Sequence, residues 1–251
     1  MAKKFTLAQI SDSHLFADHN GMHHQTNVYQ NLLKVLLAIK VQPMIDAMVF
    51  TGDLTQDHSE ASYQLFVQAF DACKITIPVY YLAGNHDDVT LLNRYLSQAP
   101  FCQDKVIESD DWQVLLLESK SATPAGIFNT AQADTIAATI DKNKSQLALM
   151  HHHAVDVGYF IDRHGLENKA ELQQFLTQVP SIKALGCGHV HQALTLPVTL
   201  SDRTLSLYTC PATSIQFDTT SVTAQSNGQA AGYRLFTMAK NEAISSQAFF
   251  V

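Results

Sequence analysis

The sequence is poor in cysteine. Its four cysteines (Cys73, Cys102, Cys187 and Cys210) are far apart and form no Cys-x-x-Cys pair. That excludes a disulfide framework and a thiolate zinc knuckle, and each reads as a small buried hydrophobe. No run of about 18 apolar residues occurs, so no membrane span and no membrane partner are expected. The start, Met1-Ala2-Lys3-Lys4-Phe5, carries a basic pair but turns polar between Thr6 and Asp12. It lacks the apolar stretch of a secretion signal, and a cytoplasmic protein is expected. No linker rich in Pro, Gly or Ser divides the chain, which points to one domain over 1–251. Cations are scarce too. Sixteen Lys and Arg stand against 23 Asp and Glu, a formal net charge of −7, with no basic stripe. This argues against a nucleic-acid partner. An acidic protein still binds a small phosphate ester where metal ions supply local positive charge.

What the sequence has in excess is histidine, twelve in all, and they are clustered. Hydrophobic periodicity supplies the frame. Segments 5–10, 47–50, 78–82, 146–150 and 182–185 read as strands, and 27–40, 59–72, 91–96, 130–143 and 169–177 as helices. Ser59 is a natural N-cap, and Thr130 opens the fourth helix. Segments 106–108 and 112–118 suggest an antiparallel pair turning at Asp110-Asp111. The C-terminal portion turns to strands at 194–200, 203–208, 233–238 and 244–251. The segment 221–232 is expected to be a mobile surface loop. Alternating strands and helices imply an α/β fold with ligands at the carboxyl ends of strands, and the later antiparallel strands imply a second or a mixed sheet.

Five of those strand ends carry metal-ligating residue types. They are Asp12-Ser13-His14, Gly52-Asp53, Gly84-Asn85-His86-Asp87, His151 at the head of His151-His152-His153, and Gly188-His189-Val190-His191. Each is weak alone. Residues at i and i+2 of an extended segment point one way, so a D-x-H or H-x-H triplet can offer two ligands to one ion. Imidazole suits zinc, iron, nickel and copper, and carboxylate and amide oxygens add manganese and magnesium. With no thiolate in the pattern a structural zinc site is not expected. Two aspartates against two divalent ions leave net positive charge for phosphate. His86 needs no ligand role and is a natural proton donor, since imidazole titrates near neutral pH. Asp87 either orients His86 or caps the following helix.

In this order the motifs resemble the calcineurin-like metallophosphoesterase superfamily and, within it, the class III cyclic nucleotide phosphodiesterases. The supporting stretches span nearly the whole chain. They are Ser11–Phe16, Thr51–Asp57, Met150–His153, Gly165–Asn168, Cys187–Gln192, Pro211–Phe217 and Gly232–Arg234. The resemblance implies a four-layer αββα sandwich of two mixed sheets. It implies that Asp12, His14 and His191 hold one metal, that Asn85, His151 and His189 hold the other, and that Asp53 bridges them. His152 and His153 then either stand behind the ligands or form pocket wall. Iron and manganese are the expected ions, with zinc, cobalt and nickel as alternatives. The implied reaction is hydrolysis of 3′,5′-cyclic AMP to 5′-AMP by a hydroxide shared between the metals, with Asp53, Asn85 and His86 catalytic. His14, Asn85, His86, His191 and Arg163 would face the substrate. Arg163 sits in the polar stretch 160–168, which could cover the nucleotide; a lone arginine in a polar loop is usually a solvated residue. Phe217 could stack on a base, but a core or hairpin role is the commoner one for such a residue. The region 121–130 departs from the subfamily, which leaves 2′,3′-cyclic nucleotides or other diesters as alternative substrates. A non-enzymatic scaffold of this fold would be expected to lack ligands or His86, and here all are present.

Overall fold

Strand β1 (Phe5–Ile10) shows how the sequence sorts itself into layers. Successive side chains of a strand point to opposite faces. Ala8 and Ile10 accordingly join one apolar cluster and Leu7 another. The structure, a computed structural model, describes residues 4–251. After β1 come a short hairpin, β2 (Met22–His23) and β3 (Thr26–Asn27), then α1 (Val28–Lys40), β4 (Ala47–Phe50), α2 (Glu60–Cys73), β5 (Val79–Tyr81) and α3 (Val89–Tyr95). The chain continues through β6 (Phe101–Cys102), β7 (Val106–Glu108), β8 (Trp112–Leu116), α4 (Thr130–Ala137) and β9 (Ser145–Met150). A 3₁₀ turn (Phe160–His164) precedes α5 (Lys169–Gln178), β10 (Ile182–Cys187), β11 (Thr195–Thr199), β12 (Thr204–Thr209), β13 (Gly232–Met238) and β14 (Ser245–Phe250).

Two six-stranded mixed sheets result, in the orders β14-β13-β1-β4-β5-β6 and β11-β12-β10-β9-β8-β7. In the first, β1, β4, β5 and β6 run parallel, β13 runs antiparallel to β1, and β14 antiparallel to β13. In the second, β8, β9, β10 and β12 run parallel, with β7 and β11 antiparallel at the edges. Leu7, Ala47, Val49, Leu147, Leu149 and Phe236 pack between the sheets. Ala8, Ile10, Met48 and Phe50 face outward onto the helices of the first half, and Ala148 and Met150 onto those of the second. The order is therefore helix, sheet, sheet, helix, as the resemblance implied. Among the described residues no helix is long and apolar enough to cross a membrane.

The differences from expectation have local causes. Helix α4 stops at Ala137, not at 143, because the Gln113 side chain binds Thr139 O and Asp141 N and draws that stretch into a turn. Its cap is Asn129, whose side chain accepts from Gln132 N. Gly232, assigned to the surface loop, instead opens β13 and pairs with Phe250. Cys102 is only half-buried; the other three cysteines are buried, and all four are free. The hairpin β2–β3 and strand β6 are too short for a periodic signal.

Candidate metal centre

The parallel strands of both sheets deliver their C-terminal loops to one edge of the sandwich. Asp12 and His14 follow β1, Asp53 follows β4, Asn85 and His86 follow β5, His151 follows β9, and His189 and His191 follow β10. Five of these residues hold left-handed backbone: Asp12 (φ 58°), His14 (45°), Asp53 (59°), His189 (66°) and His191 (52°). For non-glycine residues this costs energy, and such strain concentrates at functional sites. Gly84 makes the approach possible. A Cβ there would lie 2.1 Å from Asp53 Oδ1, 2.4 Å from Asp53 N and 2.7 Å from the His151 ring. Gly84→Ala should therefore cost about 1–3 kcal/mol by overpacking and lower Tm by roughly 2–12 °C at this chain length. Scanning calorimetry checks this; unchanged melting would show that the loops give way.

The side chains converge on two groups. Asp12, His14 and His191 lie together, and their ligand atoms fall within 4.8 Å of one another. His14 Nε2 stands 3.1 Å from His191 Nε2, and His191 Nε2 stands 3.4 Å from Asp12 Oδ1. In the second group His151 Nε2 is 3.1 Å from Asn85 Oδ1. Asp53 Oδ2 reaches both, 3.4 Å from His151 Nε2 and 3.8 Å from His14 Nε2. The rings are aimed from behind. His151 Nδ1 donates to Thr51 O (2.7 Å) and His191 Nδ1 to Ile215 O (2.8 Å). That fixes the tautomer and leaves each Nε2 lone pair facing the group, the arrangement of metal-ligating histidines. The buried stretch 211–217 buttresses this edge, with Ser214 Oγ donating to Asp12 O at 2.6 Å.

The donor set fits metal. His14 and His191 present Nε2 atoms face to face at 3.1 Å, a spacing that two donors about 2.1 Å from one ion reach near a right angle. His189 Nε2 is buried without a partner. Burial drives the His14 and His189 pKa values well below the usual 6.5, so both rings are neutral, the form that ligates. Between Asp53 and His151 burial opposes charge, yet their attraction holds the carboxyl well below its usual range and lifts the imidazole to about 9. A cation bound between them would take the place of that proton.

The remaining residues fall into distinct roles. His86 faces the same space: its ring meets His14 edge-on at 4.9 Å, and its backbone N donates to Asp53 Oδ1 at 2.9 Å. Asp87 neither orients His86 nor caps a helix. Its carboxylate accepts from Asp53 N (2.9 Å), Leu54 N (2.8 Å) and Gly84 N (2.8 Å), tying two motif loops together, and Asp88 caps α3. His152 is wholly buried, with both ring nitrogens engaged by Ser119 Oγ and Pro124 O. His153 meets Asp162 Oδ1 at 3.2 Å and so anchors the 3₁₀ turn. Phe217 offers no free face toward the metal centre, for it stacks on His191 with ring centroids 3.9 Å apart. Arg163 is exposed at the mouth of a cavity of about 380 Å³ that His14, Asp53, Asn85, His86, His189 and His191 line. Three neighbours were not anticipated. His23 meets His14 edge-on, His58 stacks on His86, and Lys120 Nζ donates to Asn85 O at 2.9 Å. Only the His23-His24 doublet left a trace in the sequence; Lys120 left none.

Two stacked mixed sheets that gather carboxylate, amide and imidazole ligands at their shared edge define a dimetal phosphoesterase architecture. The chain belongs to the calcineurin-like phosphoesterase family, whose model matches residues 5–193. It is 53% identical over 238 residues to a probable cyclic nucleotide phosphodiesterase of Colwellia psychrerythraea, covering 93% of this chain and 90% of that protein. It is 34% identical over 217 residues to the 3′,5′-cyclic adenosine monophosphate phosphodiesterase CpdA of Escherichia coli K12, covering 84% of this chain and 77% of CpdA. In fold it is similar to a dimetal phosphatase from Danio rerio, with a TM-score of 0.65 at 13% identity, covering 98% of each chain.

Proposed function

We propose that this phosphoesterase hydrolyses 3′,5′-cyclic AMP to 5′-AMP. The observation that carries the reading is the pair of ligand groups sharing Asp53, at the base of a cavity large enough for a nucleotide. Asp12, His14 and His191 would hold one ion, Asn85, His151 and His189 the other, with Asp53 common to both; iron and manganese suit this donor set. A pair of ions there would lower the pKa of a bound water and neutralise charge on the phosphate oxygens. The protein's own groups do the rest. Asn85 contributes a neutral oxygen and so leaves the site electropositive. His86, beside His14 and Asp53, gives its proton to the departing 3′ oxygen. The likeness to the Colwellia protein and to CpdA supports a cyclic nucleotide as the substrate class. The test is a substrate panel with Mn²⁺ or Fe²⁺: 3′,5′-cyclic AMP, 2′,3′-cyclic AMP, bis-p-nitrophenyl phosphate and a phosphomonoester. Highest kcat/KM on 3′,5′-cyclic AMP, with 5′-AMP as product, is expected. No preference for a cyclic nucleotide would refute the reading.

A further inference from the structure

The cavity above the metal centre has two unlike walls. One is the ligand set. The other comes from the 3₁₀ turn (Phe160, Ile161, Arg163, His164) and from the loop after Phe217 (Val222, Thr223, Ala224). Aromatic rings run outward from the metal side in sequence. His191 stacks on Phe217 at 3.9 Å, and Phe217 meets Phe160 edge-on at 5.0 Å. Phe160 is half-buried and lines the cavity, so part of its ring is still open to it. On the same wall, Val222 is 71% exposed, one of nine large apolar side chains left in solvent among the described residues.

The two segments are not loose. Asp162 accepts from Val157 N (2.7 Å) and Gly158 N (2.8 Å) and meets His153 Nε2, so the turn is pinned to the histidine triplet that begins with His151. The Tyr159 hydroxyl donates to Val190 O, between His189 and His191. Next to it, Phe217 pairs with Ser226 and Asp218 N donates to Gln225 O (2.8 Å), which closes the loop that carries Val222. Apolar surface placed beside a cluster of ionic ligands serves a substrate with a charged end and a flat apolar end.

We propose that Phe160 and Val222 clasp the nucleobase of the nucleotide whose phosphate lies at the metal centre. This rests on the cyclic-nucleotide reading and assigns its specificity to two residues that no motif contains. Phe160 supplies an aromatic face, which stacks on any base, and Val222 extends the apolar surface beside it. The substrate class is a nucleoside phosphate; a sugar phosphate without a base lacks the group the clasp holds.

The test compares wild type with Phe160→Ala and Val222→Ser. Each is assayed on 3′,5′-cyclic AMP and on methyl p-nitrophenyl phosphate, a small diester with no base. Calorimetry then measures binding of 5′-AMP and of ribose 5-phosphate to the metal-loaded proteins. Both variants should lower the ratio of kcat/KM for cyclic AMP over the base-free diester by about tenfold, the scale of one lost base contact, mainly through KM. The wild-type preference for 5′-AMP over ribose 5-phosphate should shrink to match. Equal losses on both diesters, or an unchanged ratio, would overturn the clasp. A wild type that ignores cyclic nucleotides yet prefers 5′-AMP through Phe160 would refute the substrate reading and leave the clasp standing. A wild type without that preference would refute the clasp itself.

Discussion

Replacing Asp53 with alanine should lower kcat/KM by about 10³-fold or more, equivalent to about 4 kcal/mol of lost transition-state stabilisation. Its carboxylate stands between the two ligand groups: its Oδ2 lies 3.4 Å from His151 Nε2 and 3.8 Å from His14 Nε2. Removing it takes a negative charge from between the two positions and leaves His151 without the partner that does most to raise its pKa. Both ions should bind more weakly, so the loss would appear in activity and in metal retained after dialysis. The sheets themselves should survive, because the Asp53 and Leu54 backbone amides are still held by Asp87. A folded Asp53→Ala protein within tenfold of wild-type turnover would show that the two groups do not act as one centre.

His86→Ala should cost about 10²–10⁴-fold in kcat on cyclic AMP with little change in KM, the range for removing a general acid. The size of the loss should follow the leaving group. The 3′ oxygen of a ribose departs as a strongly basic alkoxide and needs a proton. p-Nitrophenolate is weakly basic and does not, so bis-p-nitrophenyl phosphate should suffer far less. Burial lowers the His86 pKa below its ordinary value, and the nearby Asp53 charge only partly restores it. The proton-bearing form prevails below that pKa, so kcat on cyclic AMP should fall as pH rises through it. The variant should lack that limb. Equal losses on both substrates would point to a packing role, which the stacked His58 and edge-on His14 rings would make understandable.

Much of the frame was legible because its signal is local. The strand ahead of every motif and the N-cap at Ser59 follow from periodicity and capping chemistry. The convergence of five loops was legible too, because parallel strands put all their C-terminal ends on one edge. What escaped depends on contacts distant in sequence. Asp87 looked like a helix cap because the residue after it is one; its real partners, Asp53 N and Leu54 N, lie 34 and 33 positions away. Lys120 meets Asn85 O across 35 positions and from the other sheet. Phe217 has a face covered by His191, which no pattern in 211–217 announces. Helix α4 ends early because of Gln113, a residue on a strand.

The most direct test of the account is where metal binds. In a crystal grown with Mn²⁺, anomalous scattering should give two peaks about 3.5–4 Å apart. One should lie among Asp12, His14 and His191, the other among Asn85, His151 and His189, with the Asp53 carboxylate between them. A single peak, or a pair that leaves Asp53 uncoordinated, would contradict it.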